Sequence, residues 1–224
     1  MDQYLLPFFA VVFGAGLALV FKTKNSFYTK LLLSFSGSFL LALTLFELLP
    51  EVYHHLDTKT AGLCIMAGIL LQIILEFFSK GAEHGHIHIH KHETQFPWLL
   101  FISLCIHSFL EGFPIHQHND MVYGVLIHKI PIATLLTMYL IQSHFKKIQI
   151  FGFLALFAIM TPLGTLISHS VAMASDMIFY MNAIVIGIFL HISTTILFES
   201  SEGHKLHLSK LLVIILGVVV AFLI

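Results

Sequence analysis

The stretch PWLLFISLCIHSFLEGFPI, residues Pro97 to Ile115, is apolar along its length apart from two serines and, toward its middle, His107 and Glu111. Its length suits a helix crossing a hydrocarbon core about 30 Å thick. One helical turn separates His107 from Glu111, so the imidazole and the carboxylate share a face, one above the other. Both are side chains that bind borderline divalent metals. An acid at that depth in a bilayer costs roughly 2.5 kcal/mol or more on insertion scales, so a functional role is the default expectation.

The rest of the chain repeats the apolar pattern. Of 224 residues, 58% are hydrophobic and 10% charged, a balance far outside the soluble range. Runs long enough to span fall at Leu5 to Phe21, Leu31 to Pro50, Ala61 to Ser79, Pro97 to Ile115, Met121 to Gln142, Ile148 to Ser168, Ile178 to Phe198 and Leu208 to Ile224. The expected fold is therefore an all-α integral membrane bundle of eight helices, forming a single domain over residues 1–224. Because the runs recur along the whole chain, a cleaved signal peptide does not explain them. Pro50, Pro114, Pro131 and Pro162 fall inside or at the ends of spans, where a broken helix needs protein or water to satisfy the freed carbonyls. Cys64 and Cys105 lie in apolar segments without CxxC spacing, so they read as small packing residues.

The chain contains no arginine, and its lysines alternate between loops. Lys22, Lys24, Lys30, Lys80, Lys91, Lys146, Lys147, Lys205 and Lys210 share one side; Lys59 falls on the other and Lys129 within a span. The lysine-rich side is expected to be cytoplasmic, with both termini outside, in the plasma membrane or a bacterial inner membrane. With a net charge of -1 and no basic face, nucleic acid is excluded as a partner. Gly37, Phe39, Leu40 and Thr44 recur at the same spacing as Gly187, Phe189, Leu190 and Thr194, on spans of opposite direction. That echo fits an inverted repeat of helices 1–3 and 6–8 around 4–5, and equally a chance likeness between Leu- and Phe-rich helices.

By helical rise, His107 lies roughly 15 Å from the start of its span, near the midplane. The next span carries His128, Lys129, Ile130 and Pro131, with His128 about 10 Å in. If the two helices are neighbours, His107, Glu111 and His128 form one site, and three N/O ligands suit a Zn2+ that must be released. The bland alternative is a hydrogen-bonded network between helices. In the loop at 80–96, His84, His86, His88, His90 and His92 alternate strictly, a tract that captures metals with little selectivity, or else a solvated linker. Glu47, Glu51, His54, His55, His116, His118, Asp120, His169 and Asp176 gather toward the outer face; Glu76, Glu199, Glu202, His204 and His207 gather toward the cytoplasm. Such rims raise the local cation concentration, although interfacial solvation accounts for any one of them singly. His191 reads as either pathway or packing.

HSFLEG at His107 to Gly112, HKIP at His128 to Pro131, FELLPE at Phe46 to Glu51 and TPLG at Thr161 to Gly164, on eight helices with a His-rich loop between the third and fourth, resemble the ZIP family of divalent-metal transporters. The resemblance implies that His107, Glu111 and His128 are metal ligands and that an ion, Zn2+ first and Fe2+, Mn2+ or Cd2+ as further candidates, moves inward to the cytosol. It implies an elevator-like or rocking change between outward- and inward-open states. It further implies no catalysis and no cofactor, with the metal ion and the bilayer as partners and a homodimer as one assembly state left open. Two positions depart from the family: Ile132 stands where many members have glutamate, and Ser108 where several have asparagine. A two-metal centre is therefore not expected, and Lys129 is expected to place its ammonium near Glu111 as a stand-in for a second cation. The expected path runs from Glu47 and Glu51 through the centre to Glu199 and His204. Two competing readings are a membrane metalloenzyme or haem protein using His107, His128 and His191, which lacks an HExxH pair or general base, and a metal exporter, which would have fewer spans and a soluble tail.

Overall fold

The computed structural model describes residues 2–21, 26–79, 97–116, 120–143, 145–172, 177–199 and 208–224. Within these, the chain forms α1 (Asp2–Phe21), α2 (Ser26–Leu43), a π-helical turn (Thr44–Leu48), α3 (Leu49–His55), α4 (Thr58–Ser79), α5 (Trp98–Leu110), a 3-10 turn (Pro114–His116), α6 (Met121–Gln142), α7 (Lys147–Ala172), α8 (Met177–Glu199) and α9 (Leu208–Leu223). Because α2, the π turn and α3 run on as one rod, the described residues make eight apolar rods, as expected. Five are long and apolar enough to cross a membrane, and Gln3–Leu19, Trp98–Leu110 and Leu208–Leu223 are shorter apolar helices. The tract with His84, His86, His88, His90 and His92 lies outside the described residues.

The second and fourth rods end elsewhere than the sequence reading placed them. The second rod does not stop at Pro50 but continues to His55. Leu49 N–H reaches back five residues to Thr44 O, widening the turn just before the proline, which then sits in the first turn of α3 where its missing N–H is tolerated. The fourth rod stops early: α5 ends at Leu110, about 20 Å long by helical rise, and the chain turns through Glu111, Gly112 and Phe113 before the 3-10 turn. Gly112 and Pro114 together end it.

The connection from α3 to α4 is Leu56 and Asp57. Asp57 caps α4, its Oδ1 accepting from the N–H groups of Lys59 and Thr60 at 3.1 Å each. Hydrogen bonds from Thr60 hold this exposed carboxyl below the usual carboxylate range.

α1 packs along α6 and α7, and α5 against α7; α4 packs along α8, and α2 along α9. α2 also touches α6 and α8, while α4 touches α5. Small residues let these backbones approach, as helix contacts in lipid require. A Cβ on Gly68 would strike Ile184 O and one on Gly187 would strike Ile65 O, so α4 and α8 cross at a mutual glycine contact. Phe39, Leu40, Leu43, Leu104, Leu136 and Phe189 are fully buried between the rods.

Candidate metal centre

The centre is built where α5 breaks. Ending a helix in the interior leaves carbonyls without N–H partners, a cost of several kcal/mol each in an apolar medium. α7 supplies the partners from one face: Thr161 Oγ1 donates to Ser108 O at 2.7 Å, Thr165 Oγ1 to Gly112 O at 3.0 Å and Ser168 Oγ to Phe113 O at 2.7 Å. All three hydroxyl residues are fully buried. Gly112 and Gly164 allow the approach, since a Cβ on the first would strike Thr161 O and one on the second Phe109 O. The break is thus a fixed feature of the α5–α7 contact.

Glu111 occupies the first residue past α5 and keeps helical dihedrals, its N–H bonding His107 O at 3.0 Å. The one-turn stacking therefore survives: His107 Nε2 lies 2.8 Å from Glu111 Oε1. From α6, His128 Nε2 lies 3.7 Å from the same oxygen, and the two imidazole rings stand nearly perpendicular with centroids 6.3 Å apart. One ligand atom from each of His107, Glu111 and His128 lies within 4.8 Å of the others, and no side chain of the three is more than 2% exposed. Neither ring nitrogen of His128 has a hydrogen-bond partner among the described residues. A buried imidazole with both nitrogens unsatisfied is costly as a structural element, whereas a divalent ion is a natural partner for it.

Lys129 adds the fourth group. Its Nζ donates to Glu111 Oε2 at 2.7 Å and to Ser108 Oγ at 2.8 Å, and lies 4.6 Å from the centre of the Phe157 ring. Ser108 Oγ in turn lies 3.1 Å from both Phe157 O and Thr161 Oγ1. The ammonium is thus held by a carboxylate, a hydroxyl and an aromatic face, with the side chain 1% exposed. Both oxygens of Glu111 are engaged, Oε1 toward the imidazoles and Oε2 toward the ammonium. α1 closes this side of α6: Thr134 Oγ1 donates to Gly14 O at 3.0 Å, close to the Pro131 interruption.

The other residues flagged in the sequence do not join the cluster. Glu47 is exposed on the π turn and Glu51 is half-buried on α3. His54 and His55 follow on α3, and the His55 ring stacks on Phe179 of α8 at 3.8 Å. His191 instead meets Glu76 of α4, Nε2 to Oε2 2.6 Å, with side chains 19% and 24% exposed. His204 lies outside the described residues, and of Glu199 only its place at the end of α8 is described. His107, Glu111 and His128 form the one group of three potential metal ligands among the described residues. Sequence reasoning missed Phe157, Thr165 and Ser168. The helical spacing of Thr161, Thr165 and Ser168 was the available signal, one α7 face turned polar, with Phe157 one turn before it.

A family model described as ZIP Zinc transporter matches residues 79–224, more than half of the chain, and takes in α5 through α9. The chain belongs to the ZIP zinc transporter family. Among curated ZIP relatives, Zinc transporter ZIP1 of Danio rerio is 33% identical over 88 residues, 37% of this chain and 29% of the relative. Zinc transporter ZIP1 of Takifugu rubripes is 30% identical over 95 residues, 40% of this chain and 32% of the relative. Protein zntD of Dictyostelium discoideum is 27% identical over 106 residues, covering 39% and 16%. The matches therefore span a third or less of the length of these relatives.

Proposed function

We propose that this protein carries divalent metal ions, Zn2+ foremost, across a membrane into the cytoplasm through a single-ion centre at His107, Glu111 and His128. The observation that carries the reading is the convergence of two imidazoles and one carboxylate oxygen within 4.8 Å of one another in the buried interior. Two nitrogens and one oxygen leave room for water, an arrangement that suits an ion in transit better than a closed four-ligand cage. Lys129 takes the position of a second cation against Glu111 Oε2. The family membership supports metal transport, and the relatives named zinc transporters support zinc.

Ions would gather at the outer mouth beside Glu47 and Glu51, bind at the centre and leave toward the cytoplasm past the Glu76–His191 pair, Glu199 and His204. The lysine-rich loops supply the orientation. Alternating access is supported by the packing. α1, α5, α6 and α7 adhere through the hydroxyl contacts and the Gly112–Gly164 crossing, whereas α2, α4, α8 and α9 adhere to one another. Sliding of one group against the other would expose the centre to each side in turn. An inverted repeat is supported by the same pairs: exchanging the first three rods in chain order with the last three, and the fourth with the fifth, turns the α2–α9 pair into α8–α4, and α1–α6 into α7–α5.

The test is radiolabelled zinc uptake into proteoliposomes by the wild type, His107→Ala and Glu111→Ala. The proposal expects uptake only in the wild type; equal uptake by all three would remove the centre.

A further inference from the structure

We propose that Lys129 sets metal selectivity: by holding Glu111 Oε2 it leaves a charge-neutral donor set of two imidazoles and one oxygen, which admits Zn2+ and rejects Mn2+. The inference rests on reading His107, Glu111 and His128 as the metal centre.

The geometry limits what Glu111 can offer. Oε2 is bound to Lys129 Nζ at 2.7 Å, while Oε1 faces His107 Nε2 at 2.8 Å and His128 Nε2 at 3.7 Å. An ion joining both imidazoles meets Oε1 alone. Bidentate binding would require the ammonium to leave. It has nowhere to go, because Ser108 Oγ holds it at 2.8 Å, the Phe157 ring covers it, and its side chain is 1% exposed. Ser108 is itself tied to α7 through Phe157 O and Thr161, so the clamp on the ammonium spans three helices.

The charge count points the same way. Glu111 contributes one negative charge, Lys129 cancels it, and two neutral imidazoles add none. Mn2+ and other hard cations favour six oxygen-rich ligands and carboxylate charge, and would gain little here. Zn2+ is content with four ligands, binds imidazole well, and has no d-electron preference for a larger shell. In a dry site, removing the ammonium would turn the neutral set negative, free a second carboxylate oxygen and open space for water. Each of these changes favours Mn2+ more than Zn2+.

The experiment measures initial uptake of Zn2+ and of Mn2+, separately, into proteoliposomes holding the full chain. The proposal expects the Mn2+/Zn2+ rate ratio to rise about tenfold or more in Lys129→Gln, to rise less but in the same direction in Ser108→Ala, and to rise less than in Lys129→Gln in Lys129→Arg, which keeps a charge on Oε2 although the larger guanidinium has to repack against Phe157. A parallel fall of both rates in Lys129→Gln, with the ratio unchanged, would make Lys129 a structural residue and overturn the proposal. So would a rise in Lys129→Arg equal to that in Lys129→Gln. Should Lys129→Gln fail to fold with Glu111 left unpaired, Ser108→Ala decides, since it removes the hydroxyl that keeps the ammonium from leaving Oε2 when an ion binds; an unchanged ratio there overturns the inference. Failure of the underlying centre is read separately, as wild-type zinc uptake in His107→Ala.

Discussion

Thr165 Oγ1 donates to Gly112 O at 3.0 Å, closing from α7 a backbone carbonyl that the end of α5 leaves open. Thr165→Val keeps the shape and removes the donor, so a buried carbonyl loses its partner at a cost of about 1–3 kcal/mol. A lower melting temperature in detergent is expected. Ser170→Ala, at an exposed hydroxyl bonded to its own helix at 3.4 Å, should change stability by less than about 0.5 kcal/mol.

Gly164→Ala should be worse than either. Its Cβ would meet Phe109 O and the Gly112 backbone, neither of which can yield without separating α5 from α7. Folded yield and zinc uptake should fall together. Gly152→Ala lies on the same helix with nothing within 4 Å of the added methyl, and wild-type behaviour is expected. Equal tolerance of the two substitutions would contradict the close crossing.

Glu111→Gln removes half of a buried ion pair and strands the Lys129 ammonium, which should cost about 3 kcal/mol or more. Adding Lys129→Met removes the stranded charge, so the double variant should recover most of the lost stability, measured by thermal unfolding in detergent. Zinc uptake should stay absent in both, since Oε1 no longer carries a carboxylate charge to the ion. Restored uptake in the double variant would show that Glu111 is not a ligand.

Glu76→Gln tests the proposed exit route. The Glu76–His191 pair is partly exposed and shares no residue with the centre. Its substitution should slow zinc uptake severalfold, with zinc affinity of the detergent-solubilised protein unchanged. Unaltered uptake would reduce the pair to a packing contact between α4 and α8.

Much of this was legible in the sequence. Apolar runs fixed the number of rods because burial in lipid demands length and hydrophobicity, both of which are local properties. The stacking of His107 on Glu111 was legible because one helical turn is a local geometry that survives even at the end of α5. The fate of the second rod was not. Pro50 marks a boundary only when the preceding turn cannot adapt, and the π turn at Thr44–Leu48 adapts.

By itself, then, the sequence determined an all-helical chain of eight apolar rods and two successive helices bearing ionisable groups inside the hydrocarbon core. It brought Lys129 near Glu111 without saying which oxygen the ammonium takes. Tertiary structure decided that it takes Oε2, that Phe157 covers it, that Thr161, Thr165 and Ser168 close the broken end of α5, and that His191 turns to Glu76 instead of the centre. The physical reason is that these rods are apolar nearly all round. With no polar stripe to set one face apart, the pattern along a helix does not name its neighbours, and glycine crossings and buried hydroxyls choose them instead.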